Sequence, residues 1–117
     1  MIINTTRNTT IAQYVEIADT PLACMKGLLG RDSLPDGHGL VITGCQSIHM
    51  IGMTFFIDVI FVDKTGVVVG ACEHIGPWQL SSVFFKANRA IEIPAGVIAK
   101  TNTKIGDVLE LTPLTPL

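Results

Sequence analysis

The sequence predicts an α+β domain that is mainly β: a compact antiparallel sheet or partly closed barrel of six to seven short strands with one or two short helices. Short apolar and β-branched segments recur between turn signals, at intervals of about ten residues. The 117 residues match the usual size of one domain. Charged residues make up 15% of the chain, against about 25% in an average globular protein, which indicates a largely covered sheet.

We expect one globular domain at residues 11–112, between a polar lead-in at 1–10 and a loose tail at 113–117. The lead-in is rich in Asn and Thr and lacks the basic and apolar regions of a signal peptide. The apolar runs are far shorter than the roughly 20 residues that a transmembrane helix needs. We therefore expect a soluble, cytoplasmic protein that has no membrane partner.

The first elements predicted are a strand at Ile11–Ala18 and a helix at Pro21–Leu29. Rough alternation of β-branched and polar residues favours the strand. Thr20 is a suitable N-cap for the helix, and Pro21 at its first position loses no hydrogen bond. The apolar face on which this short helix is expected to dock consists of Leu22, Met25 and Leu29.

A central hairpin is predicted from Phe55–Val62, the turn Asp63–Gly66 and the partner strand Val67–Ile75. With a three-residue loop and a bulge at the glycine, Asp58 faces Cys72, whereas a two-residue loop slips the pairing by one. We prefer the first register, because threonine suits a positive φ poorly. The other predicted elements are strands at Leu40–Thr43, Ser47–Met50, Ala90–Ile93 and Val108–Thr112 and one helical turn at Val97–Asn102.

Composition argues against nucleic-acid binding and against a disulfide scaffold. The eight Lys and Arg residues are scattered singly and the net charge is -2, so there is no basic patch. Cys24, Cys45 and Cys72 form no Cys-x-x-Cys pair, which indicates reduced thiols. The spacings of Cys45 to His49 and of Cys72 to His74 do not match those of zinc knuckles. We predict no cofactor and no bound metal.

An ordered set of short motifs resembles the domain-of-unknown-function 192 family over about residues 15 to 112. The motifs are Gly27–Arg31, His49–Met53, Ile57–Asp63, Pro77-Trp78, Glu92–Gly96 and Gly106-Asp107. The resemblance implies a small, mainly β domain found widely in prokaryotes, and it brings no established activity. Relatives often carry Arg after the Pro-Trp pair, where this chain has Gln79, so a role of that arginine would be lost or altered here.

His49 and Asp58 lie in the most apolar run, Ser47–Asp63, and ionisable groups are costly to bury unpaired. For Asp58 we favour an internal tie, in which the carboxylate accepts backbone N–H bonds at a bulge or pairs with Arg31 or Arg89. The predicted structural polar ties are Arg31, Asp58 and Glu92.

Our leading functional hypothesis is an accessory binding domain without catalysis. It would hold a small polar ligand or a partner peptide at a patch of residues around the hairpin. The residues of this patch are His49, Met53, Asp58, Trp78 and Gln79. The first alternative is a small hydrolase- or isomerase-like enzyme that uses His49 and Asp58 as base and orienter. The second is a soft-metal module built on Met, His and Cys.

Overall fold

The computed structural model describes residues 1–112 and the backbone of 115–116, which form two sheets and two short helices. The bounds are β1 (Ile2–Asn4), β2 (Thr9–Ala12), β3 (Tyr14–Ala18), α1 (Pro21–Lys26), β4 (His38–Thr43), β5 (Ile57–Val62), β6 (Val68–Ile75), β7 (Arg89–Pro94), α2 (Val97–Thr101), β8 (Leu109–Leu111) and β9 (Thr115–Pro116). The large sheet has the order β6-β5-β7-β4-β3-β9 and the small one β2-β1-β8. The predicted mainly β, α+β class is confirmed.

Three details of the predicted sheet differ in the structure. The strands outnumber the predicted six to seven, and neither sheet closes into a barrel among the described residues. The large sheet is also not purely antiparallel, because β3 pairs in parallel with both β4 and β9. The chain between β3 and β4 is long enough to cross over through α1, which a parallel pair requires.

Residues 2–4 and 9–12, most of which fall in the lead-in predicted at 1–10, form strands β1 and β2 of the small sheet. β1 is the middle strand of the small sheet, and Ile2 and Asn4 are fully buried. The Asn4 side chain donates hydrogen bonds to Thr103 Oγ1 at 3.2 Å and to Asp107 Oδ2 at 2.9 Å. Its polarity therefore serves an internal network rather than solvent. The loose tail expected at 113–117 lies outside the described residues, apart from the pairing of β9.

Helix α1 begins as predicted but presents a different face to the sheet. The Ala23 N–H donates to Thr20 Oγ1 at 3.2 Å, which confirms the N-cap. The helix ends at Lys26, and the face expected to dock is exposed: Leu22 and Met25 are each 78% exposed. A helix of six residues has room for one contact stripe, and here Ala23 and Cys24 form it.

The hairpin turn is confirmed, but the predicted pairing of Asp58 with Cys72 was wrong. The Gly66 N–H donates to the Asp63 carbonyl at 3.1 Å, as in a type I turn. Irregularities between Phe61 and Val62 and between Ile57 and Val59 then shift the register, so that Val59 faces Cys72. Bulges of this kind depend on packing across the sheet and have no marker in the turn itself.

The segment predicted as a strand at 47–50 forms only one isolated bridge, between His49 and Leu80. It is the start of a loop that runs over one face of the large sheet. In the part of the chain that the structure describes, no helix has the length and apolar character to cross a membrane.

The large sheet carries a hydrophobic core on each face. Side chains alternate along a strand, so Val59 and Phe61 of β5 pack on the face that α1 covers, and Ile60 and Val62 pack on the face that α2 and the small sheet cover. The same alternation assigns the two buried carboxylates to opposite faces. Asp58 shares the face of Ile60, and Glu92 shares the face of Val59.

Candidate functional site

A cavity of about 110 Å³ opens on the α1 face of the large sheet. Its walls come from α1 and the residues after it, from β4 and from the loop at residues 45–53. Most wall residues are apolar, among them Leu28, Ile42, Ile48 and Met53. The polar exceptions in the interior are Cys24, Cys45 and Glu92.

Glu92 forms the floor of this cavity. It lies in the middle of β7, with Leu40 of β4 opposite on one side and Val59 of β5 opposite on the other. The residue is 6% exposed, and its Oε1 has no hydrogen-bond partner among the described residues. Burial raises the pKa of Glu92 to about 7, and the nearby positive charge of Arg31 opposes this increase.

Gly27 lies next to Glu92 at the end of α1. The glycine ends α1 with φ 49°, a conformation that other residues rarely adopt. A Cβ atom at this position would lie 3.6 Å from Glu92 Oε1. Glu92 Oε1 therefore lies beside the end of α1, next to the cavity that Glu92 lines.

The two cavity thiols already donate to backbone carbonyls. The Cys24 thiol donates to the Ala18 carbonyl at 3.1 Å, and the Cys45 thiol donates to the Ser47 carbonyl at 3.0 Å. Burial raises the pKa of Cys45, which keeps it a neutral thiol near pH 7 and not a thiolate nucleophile.

The structure brings two residues of the predicted patch to this cavity, His49 and Met53. His49 is exposed at the mouth and Met53 is buried in the wall. Trp78 and Gln79 lie on the adjoining loop, where the Trp78 N–H donates to the Met50 carbonyl at 2.8 Å. Trp78 is 69% exposed, and the Gln79 side chain accepts a hydrogen bond from the Gly76 N–H, which closes a turn.

Asp58 lies on the opposite face of the sheet from His49. Its Oδ1 accepts a hydrogen bond from the His74 N–H at 2.9 Å. Its Oδ2 accepts from the N–H groups of Gly96 at 3.1 Å and Ile98 at 2.9 Å. Both oxygens are thus used in joining β5 to β6 and α2, and the His49/Asp58 pair of the enzyme hypothesis does not form.

The sequence model of the DUF192 family, described as "Uncharacterized ACR", matches residues 2–111. The chain belongs to this family. The DUF192 chain is 32% identical over 114 residues to a UPF0127 protein of Thermococcus sibiricus, which covers 94% of this chain and 73% of the relative. It is 33% identical over 119 residues to a UPF0127 protein of Thermococcus kodakarensis, with 97% and 74% covered.

A solved structure shares the fold of the DUF192 chain. It is a protein of unknown function from Novosphingobium aromaticivorans, with a TM-score of 0.76 and 23% sequence identity over 88% of this chain and 80% of that one. The names of these relatives state no activity, so the functional argument rests on the cavity.

The residues of the metal hypothesis are divided between two places in the DUF192 structure. Cys45 and His49 line the Glu92 cavity, whereas Cys72 and His74 line a shallow depression beside Gln79. Within the described residues, no three His, Cys, Asp or Glu side chains are grouped to hold a metal ion.

Glu92 as a cavity floor is the feature that sequence reasoning missed. Glu92 was predicted to be a structural tie, yet its Oε1 has no tie within the described part of the chain. Arg31, the other predicted tie, donates to Glu16 at 3.3 and 3.5 Å across a partly exposed pair. The available signal was Glu92 itself, a carboxylate between two isoleucines in a short apolar strand.

We expect Glu92→Gln to stabilise the DUF192 chain far more at alkaline pH than at pH 4. The pKa of an unfolded Glu is near 4.3, whereas that of Glu92 in the folded protein is about 7. The wild-type side chain therefore makes its full contribution to the free energy of unfolding below about pH 4.3, and this contribution is lost as the pH rises through about 7. Replacing the carboxylate should increase the free energy of unfolding by about 3 kcal/mol more at pH 8 than at pH 4, and the pH-independent cost of the buried amide cancels in this difference.

Urea unfolding at pH 4 and pH 8 measures this difference. The exposed Glu110→Gln is the matched control and should show no comparable dependence on pH. The same effect of Glu92→Gln at both pH values would show that Glu92 does not ionise in this range.

Proposed function

We propose that this DUF192 chain is a binding domain and that its site is the cavity above Glu92. One observation carries the proposal: Glu92 lines the cavity, and its buried Oε1 has no hydrogen-bond partner in the described structure. Leaving a buried polar group unsatisfied costs about 1–3 kcal/mol. A ligand that donates a hydrogen bond to Glu92 would remove this cost when it binds.

The size of the cavity supports a small ligand or the end of a larger one. A water molecule needs roughly 10–15 Å³ of such volume, so about 110 Å³ has room for several heavy atoms. The apolar walls favour a ligand with an apolar body and one polar end, as is usual for small-molecule sites. His49 at the mouth and Met53 in the wall remain part of the proposed site.

The non-enzymatic binding role of our sequence hypothesis is retained here, with Glu92 in place of Asp58 as its central carboxylate. We also keep the cytoplasmic location as a proposal. The three cysteines, which are free thiols in the structure, support it because reducing compartments maintain thiols.

A thermal-shift screen of small amphipathic molecules tests the proposed site. A ligand that binds only the folded state raises the melting temperature, and we expect the hits on the wild-type protein to lose their effect on Glu92→Gln. Glu110→Gln should keep the full shift. Hits that stabilise the wild type and Glu92→Gln equally would place the binding site elsewhere and contradict the proposal.

A further inference from the structure

We propose that the group which occupies the Glu92 cavity is a primary alkylammonium, with its charged head at Glu92 and its apolar stem along the cavity walls. This inference rests on the proposed binding function and specifies the chemistry of the ligand. Three features of the cavity support it: the hydrogen-bonding groups of the interior, the charge of Glu92 and the apolar walls.

The buried part of the cavity presents acceptors, whereas the other polar lining residues, Lys26, Ser47 and His49, are exposed. Glu92 Oε1 is without a donor among the described residues. The thiols of Cys24 and Cys45 direct their protons to the carbonyls of Ala18 and Ser47, so only the weakly accepting sulfur lone pairs face outward. The complement of such a surface is a group that only donates. An ammonium head has three N–H donors and no acceptor.

The charge of Glu92 is not neutralised by a contact within the described residues. Arg31 is the cation close enough to affect its titration, but the guanidinium donates its hydrogen bonds to Glu16. A buried carboxylate is stabilised when an opposite charge reaches it directly. A ligand ammonium would provide that charge.

The walls fit an unbranched apolar stem. Leu28, Ile42 and Ile48 line the cavity, and all three are buried and apolar. Met25 and Ile51 continue this apolar lining to the mouth, where both are exposed. An alkyl chain that enters there would remove their surface from water, which favours binding by roughly 25 cal/mol per Å².

Titratable groups surround Glu92 on three sides. Helix α1 contributes Cys24 and the exposed Lys26, and the segment after it contributes Arg31. The loop at residues 45–53 contributes Cys45 and His49. Lys26 and Arg31 repel a cation, so the ammonium must gain its affinity at Glu92 itself.

Binding of an ammonium therefore depends on the ionisation of Glu92. The ligand favours the carboxylate form, and Glu92 titrates near pH 7 in the free protein. An alkylamine, with a pKa near 10.4 like that of a lysine side chain, stays charged throughout this range. The affinity should be constant above pH 8 and fall about tenfold for each pH unit below 7. An anionic ligand would show the opposite trend.

The test uses n-butylamine, n-butanol and butyrate as probes of equal length in thermal-shift and calorimetric titrations from pH 5.5 to 8.5. We expect butylamine to stabilise the wild type, with the pH profile above, and to lose its effect on Glu92→Gln. That variant retains the size of the side chain and should remain folded. The pH midpoint should be unchanged in His49→Ala, which shows that Glu92 and not His49 governs it.

The other probes separate failure of this inference from failure of the proposed function. If butanol or butyrate stabilises the wild type through Glu92 and butylamine does not, the ammonium inference is overturned and the cavity remains a binding site. If no probe distinguishes the wild type from Glu92→Gln, both are overturned. Nα-acetyl-lysine methylamide identifies the source of the ammonium group. If it binds, with or without butylamine, the group is a lysine side chain of a partner protein. If butylamine alone binds, the group belongs to a free amine.

Discussion

Asp58→Ala is expected to lower the free energy of unfolding by about 3–5 kcal/mol, because three backbone N–H groups lose their acceptor and each such loss costs about 1–3 kcal/mol. The carboxylate is fully buried and accepts hydrogen bonds from the backbone of His74, Gly96 and Ile98. The substitution leaves three backbone N–H groups without their acceptor, at a position that holds β5, β6 and α2 together.

Asp58→Asn provides a graded comparison. Its single amide oxygen can keep the bonds from Gly96 and Ile98, while its NH₂ group faces the His74 N–H and loses that bond. Urea unfolding should therefore rank the stabilities wild type, then Asn, then Ala. Asp32→Ala, at an exposed loop position, should change stability by less than about 0.5 kcal/mol. Equal losses for Asn and Ala would contradict the assignment of these three bonds.

The role of Asp58 was partly predictable, because a carboxylate in a strand that is apolar on both sides must find buried donors. The sequence favoured backbone N–H groups at a bulge or an arginine, and the structure has the backbone alternative. The donors from α2 were beyond prediction, because Gly96 and Ile98 reach Asp58 only once β7 has paired with β5. That pairing joins residues that are 27 to 37 positions apart in the chain.

For Glu92, the sequence predicted the strand but not the burial of the side chain. Its strand was predicted at nearly the observed position, but burial depends on which strands flank β7. In the structure β7 lies between β5 and β4, and α1 covers that face. A local pattern cannot distinguish this central position from a sheet edge, where the same glutamate would point to solvent. The strand was therefore predictable and the cavity was not.

Helix α1 begins where the sequence predicted, but a different side of the helix packs on the sheet. The cap depends on two adjacent residues, Thr20 and Pro21, and was read directly. The side of the helix that packs on the sheet depends on the surface of the sheet, and the small side chains on that side let the short helix approach closely. The side chains left outside, Met25 and Leu29 among them, line the mouth of the cavity. These exposed apolar side chains are therefore part of the proposed site.

Gly70→Ala is expected to lower the free energy of unfolding by about 1–3 kcal/mol, the usual cost of overpacking. Gly70 lies opposite Phe61 in the central hairpin, and a Cβ atom there would overlap the ring of Phe84. That ring packs on Phe61 with 4.5 Å between ring centroids and an interplanar angle of 32°. The added methyl group must therefore displace either the aromatic pair or the strand.

A double-mutant cycle with Phe84→Ala isolates this overlap. Phe84→Ala is destabilising by itself, because it removes the contact with Phe61. In that background the methyl group of Gly70→Ala enters the space that the ring has left, and alanine is more favourable than glycine in a strand. Urea unfolding of the four proteins should show a coupling energy of at least about 1 kcal/mol. If Gly70→Ala costs the same with and without the ring, the strand backbone and not Phe84 imposes the glycine.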